Sequence, residues 1–347
     1  MGNARNLADN LPLVGELSNR NIVINGNFDI SQRGTSFTNI GSGGGGTSGY
    51  DDTWTMDRFL ISQGQSAGRC SVEQSSDTPS GFSKSLKIST TTADTNTQAA
   101  EYHRLQTKFE GKDLKRFHKG NSDAKEWTIS FYCKANAAAT YTVELYDTDN
   151  QAHVAKSFSV TTDWTRVILT FPGDARAGKG FNNDNNMSME LNWWMHAGTT
   201  YSGGTLQTTW GDIVQANRAV STSSIFDSTN RTFYITGVQL EVGSKATPFE
   251  HELESVNLAK CQRYFHKELY PTGPGPFAMN YVDTHRFIHL YHPSTMRTTP
   301  TSTVTYGGGV TATEYHSTEN HWKAYLAAAY NATSQHYLTT YQADAEL

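Results

Sequence analysis

Phe233-Tyr234-Ile235-Thr236-Gly237-Val238-Gln239-Leu240-Glu241-Val242-Gly243 decides the fold of this chain. It reads as a β-strand in which glycine marks a turn or a close backbone approach. A counterpart stands far upstream, Asn21-Ile22-Val23-Ile24-Asn25-Gly26-Asn27-Phe28-Asp29, and reads the same way. Between them run about two hundred residues rich in aromatics and punctuated by Gly, Ser and Thr. That organisation implies one β-sandwich, opened and closed by these two segments. Function in such sandwiches is carried by faces and loops.

The interior of the stretch alternates with period two. Trp127, Ile129, Phe131 and Cys133 fall on one face, and Thr128, Ser130, Tyr132 and Lys134 on the other. Tyr141, Val143 and Leu145 alternate with Thr142, Glu144 and Tyr146. Thr165, Val167, Leu169 and Phe171 alternate with Arg166, Ile168 and Thr170. Met189, Leu191, Trp193 and Met195 alternate with Glu190, Asn192, Trp194 and His196. Strands with one buried face produce this pattern. Asp147-Thr148-Asp149-Asn150, Pro172-Gly173-Asp174 and Asn182-Asn183-Asp184-Asn185-Asn186 supply turns between them.

Charged residues make up only 18% of the chain and the net charge is −5, so the basic footprint of a nucleic-acid binder is missing. No apolar run is long enough for a transmembrane helix, and the N-terminus does not read as a secretion signal. Synthesis in a cytoplasm is the expectation. Cys70, Cys133 and Cys261 are far apart and odd in number, which predicts buried free thiols rather than a disulfide framework. Gly41-Ser42-Gly43-Gly44-Gly45-Gly46-Thr47-Ser48-Gly49 is a flexible loop; no Gly-Lys-Ser/Thr follows to make it a phosphate cradle.

Both ends differ from the middle. Residues 4–11 could form one or two helical turns, with Leu7 and Leu11 at i and i+4, before Pro12 and Gly15 break them. Either this is a frayed terminus or it orders against a partner. Pro248 to Tyr264 is the best helix in the chain. Strand-like runs follow at Phe277–Val282, Arg286–His292, Thr301–Tyr306, Thr311–Tyr315, His321–Tyr330 and Gln335–Tyr341. The predicted fold class is all-β: a jelly-roll β-sandwich, a connecting helix and a small antiparallel β-domain. The boundaries are 1–18, 19–247, 248–266 and 267–347.

Several segments resemble bacteriophage tail-fibre and related virion proteins. They are Asn3-Ala4-Arg5-Asn6-Leu7-Ala8, the run Asn21 to Ser36, Asp57-Arg58-Phe59 (similar to the family's Ala-Asp-Arg-Trp), and Thr236 to Gly243 followed by Ala246-Thr247-Pro248-Phe249-Glu250. Cys261-Gln262-Arg263-Tyr264-Phe265, Met296-Arg297-Thr298-Thr299-Pro300-Thr301 and Ala343-Asp344-Ala345-Glu346-Leu347 complete the set, in the same order. The first domain is also similar to jelly-roll carbohydrate-binding modules of the galactose-binding-like type. Those commonly use an Asp in the closing strand to hold a structural calcium. Thr236-Gly237 stands in its place here, so no metal is expected, and no other cofactor.

Were the polar strand faces to lie in one sheet, Tyr132, Glu144, Tyr146, Arg166, Glu190, Asn192, Trp194 and His196 would form one aromatic and polar surface. Saccharides need that mixture, because rings stack on C–H patches while amides, carboxylates and Arg bind hydroxyls. A protein interface suits the same surface. His285, His289 and His292 have metal-like spacing, but no Cys or carboxylate cluster accompanies them, and they read as strand or interface histidines. Glu101, Glu110, Asp113, Glu144 and Glu190 show no spacing that singles out an acid/base pair, and no nucleophile motif is present. The expectation is no catalysis.

The resemblance implies a structural virion protein: a short trimeric tail fibre or appendage. It would be held to other virion proteins by residues 1–20, with Asn6, Leu7 and Leu11 in contact, and would touch host-surface glycan. The alternatives are a capsid-attached fibre or decoration protein with no receptor role, and a polysaccharide-degrading tail enzyme. No nucleic acid and no membrane insertion are expected.

Overall fold

The computed structural model describes residues 19–41, 50–269, 279–282, 285–307, 312–327 and 337–347. The docking segment 1–18, with Asn6, Leu7 and Leu11, lies outside the described residues, as do residues 42–49 of the glycine-rich loop. Two compact units are present. The first holds the described residues up to Phe28, Ser36–Thr53 and Leu60–His251; the second holds Asp29–Thr35, Trp54–Phe59 and Glu252–Leu347.

In chain order the strands of the first unit are β1 (Ser36–Ile40), β2 (Tyr50–Trp54), β3 (Leu60–Gly64), β4 (Arg69–Ser75), β5 (Ser85–Thr92), β6 (Tyr102–Glu110), β7 (Trp127–Ala135), β8 (Ala139–Asp147), β9 (Ala152–Val160), β10 (Thr165–Phe171), β11 (Met187–Ala197), β12 (Gly211–Asp212) and β13 (Thr232–Val242). They form a six-stranded sheet, β1-β4-β5-β13-β7-β10, and a seven-stranded sheet, β12-β9-β8-β11-β6-β3-β2. Pairing is antiparallel. The inward rows meet as the alternation predicts: Phe131 packs edge-on against Trp193 and Phe158, and Tyr141 against Phe233. All five rings are buried, which makes this the core of an all-β sandwich.

The closing segment is a central strand. β13 lies between β5 and β7, and its register with β7 shifts between Thr236 and Gln239. Gly237 sits in that irregularity at φ +64, where an added Cβ would lie 2.6 Å from Phe82 Cζ. The opening segment is not the strand expected. Asn25 and Phe28 adopt positive φ, and Phe28 N–H donates to the Asn25 carbonyl, so Ile24–Asn27 is a turn. It still meets the closing strand. Ile22 N–H donates to Leu240 O, Val238 N–H donates to Gly26 O, and a Cβ on Gly26 would lie 2.1 Å from Val238 O. The close approach called for at Gly26 is real; the extended conformation is not.

The longest segment of the second unit carries first α1 (Glu254–Gln262), shorter than the helix expected over 248–264. The preceding residues are held otherwise, within the first unit: Thr247 N–H and Oγ1–H both donate to Glu241, and Glu250 N–H donates to Gln239 Oε1. Strands β14 (Phe265–Leu269), β15 (Met279–Val282), β16 (His285–Tyr291), β17 (Thr301–Gly307), β18 (Ala312–Ser317), β19 (His321–Ala327) and β20 (Tyr337–Asp344) follow. They form sheets β14-β20-β17 and β15-β16-β19-β18. Ile288, Leu290, Met296, Trp322, Ala324, Tyr341, Ala343 and Ala345 make one core.

Asp29–Thr35 and Trp54–Phe59, expected in the sandwich, belong to this second unit. Gln32 donates to Asp57 and to Phe265 O, and Arg33 pairs with Asp344 and Glu346 while lying 3.6 Å over the Phe265 ring. Among the expected metal-like histidines, His289 is exposed, whereas His292 is buried between Tyr341 Oη at 2.7 Å and Glu319 O. The three cysteines are free and buried, and burial pushes the thiols of Cys70 and Cys133 up to about 12.

Candidate functional site on the seven-stranded sheet

Register across β6, β11 and β8 sets three rows on one face. Lys108, Glu190 and Tyr146 form the first; Gln106, Asn192 and Glu144 the second; Arg104, Trp194 and Thr142 the third. Five of the eight residues picked from sequence, Glu144, Tyr146, Glu190, Asn192 and Trp194, therefore do share a surface. Gln106 Nε2 donates to Asn192 Oδ1 at 2.7 Å, Asn192 Nδ2 donates to Glu144 and Glu190, and Arg104 lies 3.5 Å from Glu190.

Glu144 is the hub. Its Oε1 accepts from Arg218 Nε and His153 Nδ1, and its Oε2 from Arg218 Nη2, Trp194 Nε1 and Asn192 Nδ2. Burial alone would raise its pKa. The Arg218 charge and the hydrogen bonds from His153 and Arg218 outweigh that and hold the carboxyl well below the usual range. A carboxyl so placed stays ionised and cannot serve as a general acid near neutrality.

Half of the face is roofed. The segment after β11 carries a single helical turn, Thr199–Ser202, and returns Arg218 over Tyr146 and Trp194, at 4.8 and 4.9 Å from their ring centroids. Tyr102, Tyr201 and Arg104 close on the same indole, leaving Trp194 1% exposed. Trp194 thus offers no open ring, contrary to the expected stacking surface. The open rim is Arg104, Lys108 and Tyr146, all half-buried, beside Glu190; the Tyr146 hydroxyl donates to Gln151.

The other three candidates lie elsewhere. Tyr132 and Arg166 are ladder partners on β7 and β10, in the six-stranded sheet. There Tyr132 packs on Phe82, and Arg166 donates to Ser130 Oγ and Thr247 O. His196 leaves the Trp194 face because the β11–β6 register shifts between them. Trp194 opposes Arg104, whereas His196 opposes His103, which lies on the other face. It comes to rest beside Asp94 and Glu101. Arg104, Gln106 and Lys108 were missed, although β6 alternates as plainly as its neighbours. Arg218 comes from a loop and has no periodic signal.

No family model matches the chain, and no curated protein matches it. Solved structures similar to it include carbohydrate-binding modules and a phage tailspike domain. One described as "CBM4 structure and function" is 14% identical, with TM-score 0.31, covering 63% of this chain and 97% of that one. A family 11 carbohydrate-binding module of a cellulosomal cellulase of Clostridium thermocellum is 11% identical, with TM-score 0.29, covering 60% and 99%. The enzymatically active domain of bacteriophage CBA120 tailspike protein 4 is 13% identical, with TM-score 0.31; 59% of this chain covers 21% of that one. Likenesses at these scores carry no functional argument, and the all-β assignment stands on the strand pairing itself.

Proposed function

We propose that this chain is a structural virion protein of a bacteriophage, a short trimeric tail fibre or appendage held by its N-terminal residues, that contacts host-surface glycan without cleaving it. The virion part is supported by the ordered sequence markers from Asn3 to Leu347. The glycan part is carried by one observation: the rim of Tyr146, Arg104, Lys108 and Glu190 over a hydrogen-bonded floor of Gln106 and Asn192. One half-buried ring beside fixed donors and acceptors is what a sugar residue requires. Each such contact is weak, and three linked copies would strengthen it through effective concentration. Glu144, locked to Arg218, is withdrawn from acid/base work, which supports a binding rather than a cleaving site.

Binding of the purified protein to immobilised bacterial surface polysaccharides tests this. Wild type should bind, and Tyr146→Ala should bind about tenfold more weakly, the loss of about 1.4 kcal/mol, while still folded at the assay temperature, with a melting temperature lowered by no more than about 5 °C. If wild type binds none, while deletion of residues 1–20 removes the protein from assembled particles, the reading becomes a virion component without a receptor role. Shortened polysaccharide chains after incubation would restore the enzyme.

A further inference from the structure

Asp94, Glu101 and His196 are brought together by a connection pinned at both ends. Asp94 lies just past β5, Glu101 stands immediately before β6, and His196 is at the end of β11, which pairs with β6. Each offers one ligand atom, these atoms lie within 4.8 Å of one another, and all three residues are buried. His196 Nε2 is already 3.1 Å from Glu101 Oε2. The edge of a tetrahedron with bonds of about 2.0 Å is about 3.3 Å, so that pair needs almost no movement to share an ion.

The ligands are held from outside as well. His196 Nδ1 lies 2.7 Å from Ser224 Oγ, which turns Nε2 toward the carboxylates. Asp94 Oδ2 accepts from Ser66 Oγ and from Ala67 N–H, Oδ1 accepts from Asn96 N–H at 3.3 Å, and the Asp94 and Glu101 carboxyls lie within hydrogen-bond reach of each other. His103, the ladder partner of His196, has a buried Nε2 with no hydrogen-bond partner. Charge points the same way. Among the described residues no Lys or Arg pairs with Asp94 or Glu101, so two buried carboxylates face each other with only a histidine beside them. Buried carboxylates persist only when neutralised.

We propose that Asp94, Glu101 and His196 form a divalent transition-metal site, best suited to zinc, with water completing the coordination. Two carboxylates and a neutral imidazole balance one M²⁺ ion. One nitrogen and two oxygens suit zinc or manganese, whereas calcium takes six to eight oxygens. The site ties the 93–101 connection to the end of β11, and is independent of the glycan reading.

The test uses full-length protein stripped with chelator and then titrated with Zn²⁺ or Co²⁺. One ion per chain should bind, Zn²⁺ should raise the melting temperature, and Co²⁺ should develop visible bands of low-coordinate geometry. Glu101→Gln, which keeps the shape of the carboxyl, should abolish all three responses. His196→Asn should do the same with a separate ligand. If the stripped wild type binds neither ion, or Glu101→Gln responds like wild type, the proposal is wrong. In the first case a melting temperature raised by Glu101→Gln would assign the carboxylates a shared proton instead.

Discussion

Arg218 grips Glu144 edge-on, Nε to Oε1 at 2.7 Å and Nη2 to Oε2 at 2.9 Å, with both side chains buried. Removing one partner strands a charge where water cannot reach it. Arg218→Ala should therefore cost about 3–5 kcal/mol, read from urea unfolding. Glu144→Gln should also destabilise, because the guanidinium is then uncompensated. The pair Glu144→Gln with Arg218→Ala should recover part of the loss. If the double variant is no better than the sum of the singles, the two residues are not coupled.

The same pair shapes the acid limb of stability. Against burial, which opposes ionisation, Arg218 and His153 hold the Glu144 carboxyl below its ordinary value of 4.5. A lowered folded value stabilises the fold above the unfolded value, and this contribution is lost as pH falls from 4.5 toward the lowered value. Urea midpoints should fall over that window in wild type. Glu144→Gln should be less stable overall but flatter there. Parallel acid limbs would remove Glu144 as the source.

Trp194 and Tyr146 divide folding from surface chemistry. Trp194 is buried beneath Tyr102 and Tyr201 and donates to Glu144, so Trp194→Ala should cost about 3–5 kcal/mol and cannot report on binding. Tyr146 is half-buried, and Tyr146→Ala should cost under about 1.5 kcal/mol. Thermal melts of the two variants check this, and a small loss at Trp194 would mean that its roof opens in solution.

Gly237 carries two separable demands. Its φ of +64 disfavours any side chain, and a Cβ would press on Phe82. Gly237→Ala should lose about 1–2 kcal/mol from the backbone alone, with a further loss from the clash. Measured against a Phe82→Ala background, the clash should vanish and the backbone part remain. A cost that disappears entirely in that background would show that the left-handed conformation is not strained.

Period two made the sandwich legible in the sequence: the rows counted as inward on β7, β8 and β11 are buried, although on β11 the opposite row is buried too and on β10 only Phe171 is. It failed where alternation is interrupted. The register shift before His196 moves that residue to the other face, and sheet membership, which placed Tyr132 and Arg166 apart from Glu144, depends on long-range pairing that no local pattern encodes. Arg218 was invisible for a related reason: its partner is 74 residues away and its loop has no period.

The sequence markers of the second unit, scattered across the chain, converge in space. Arg297 N–H donates to Arg263 O, Ala345 N–H to Tyr264 O, and the Arg297 guanidinium to the carbonyls of Ala345 and Glu346. Arg58 completes the cluster, pairing with Glu346 while its guanidinium lies 3.5 Å over the Tyr264 ring. Glu346 lies two residues past the end of β20, so this pair fixes the end of the strand shared by β14 and β17. A lysine keeps the charge but neither stacks flat nor forks. Arg58→Lys should therefore weaken hydrogen-exchange protection in β14, β17 and β20 by about tenfold or more, the loss of about 1.4 kcal/mol, and leave β7 and β11 as they were. Equal loss in both units would show that the cluster acts on the whole chain rather than on this sheet, because local opening and global unfolding are separated by which amides respond.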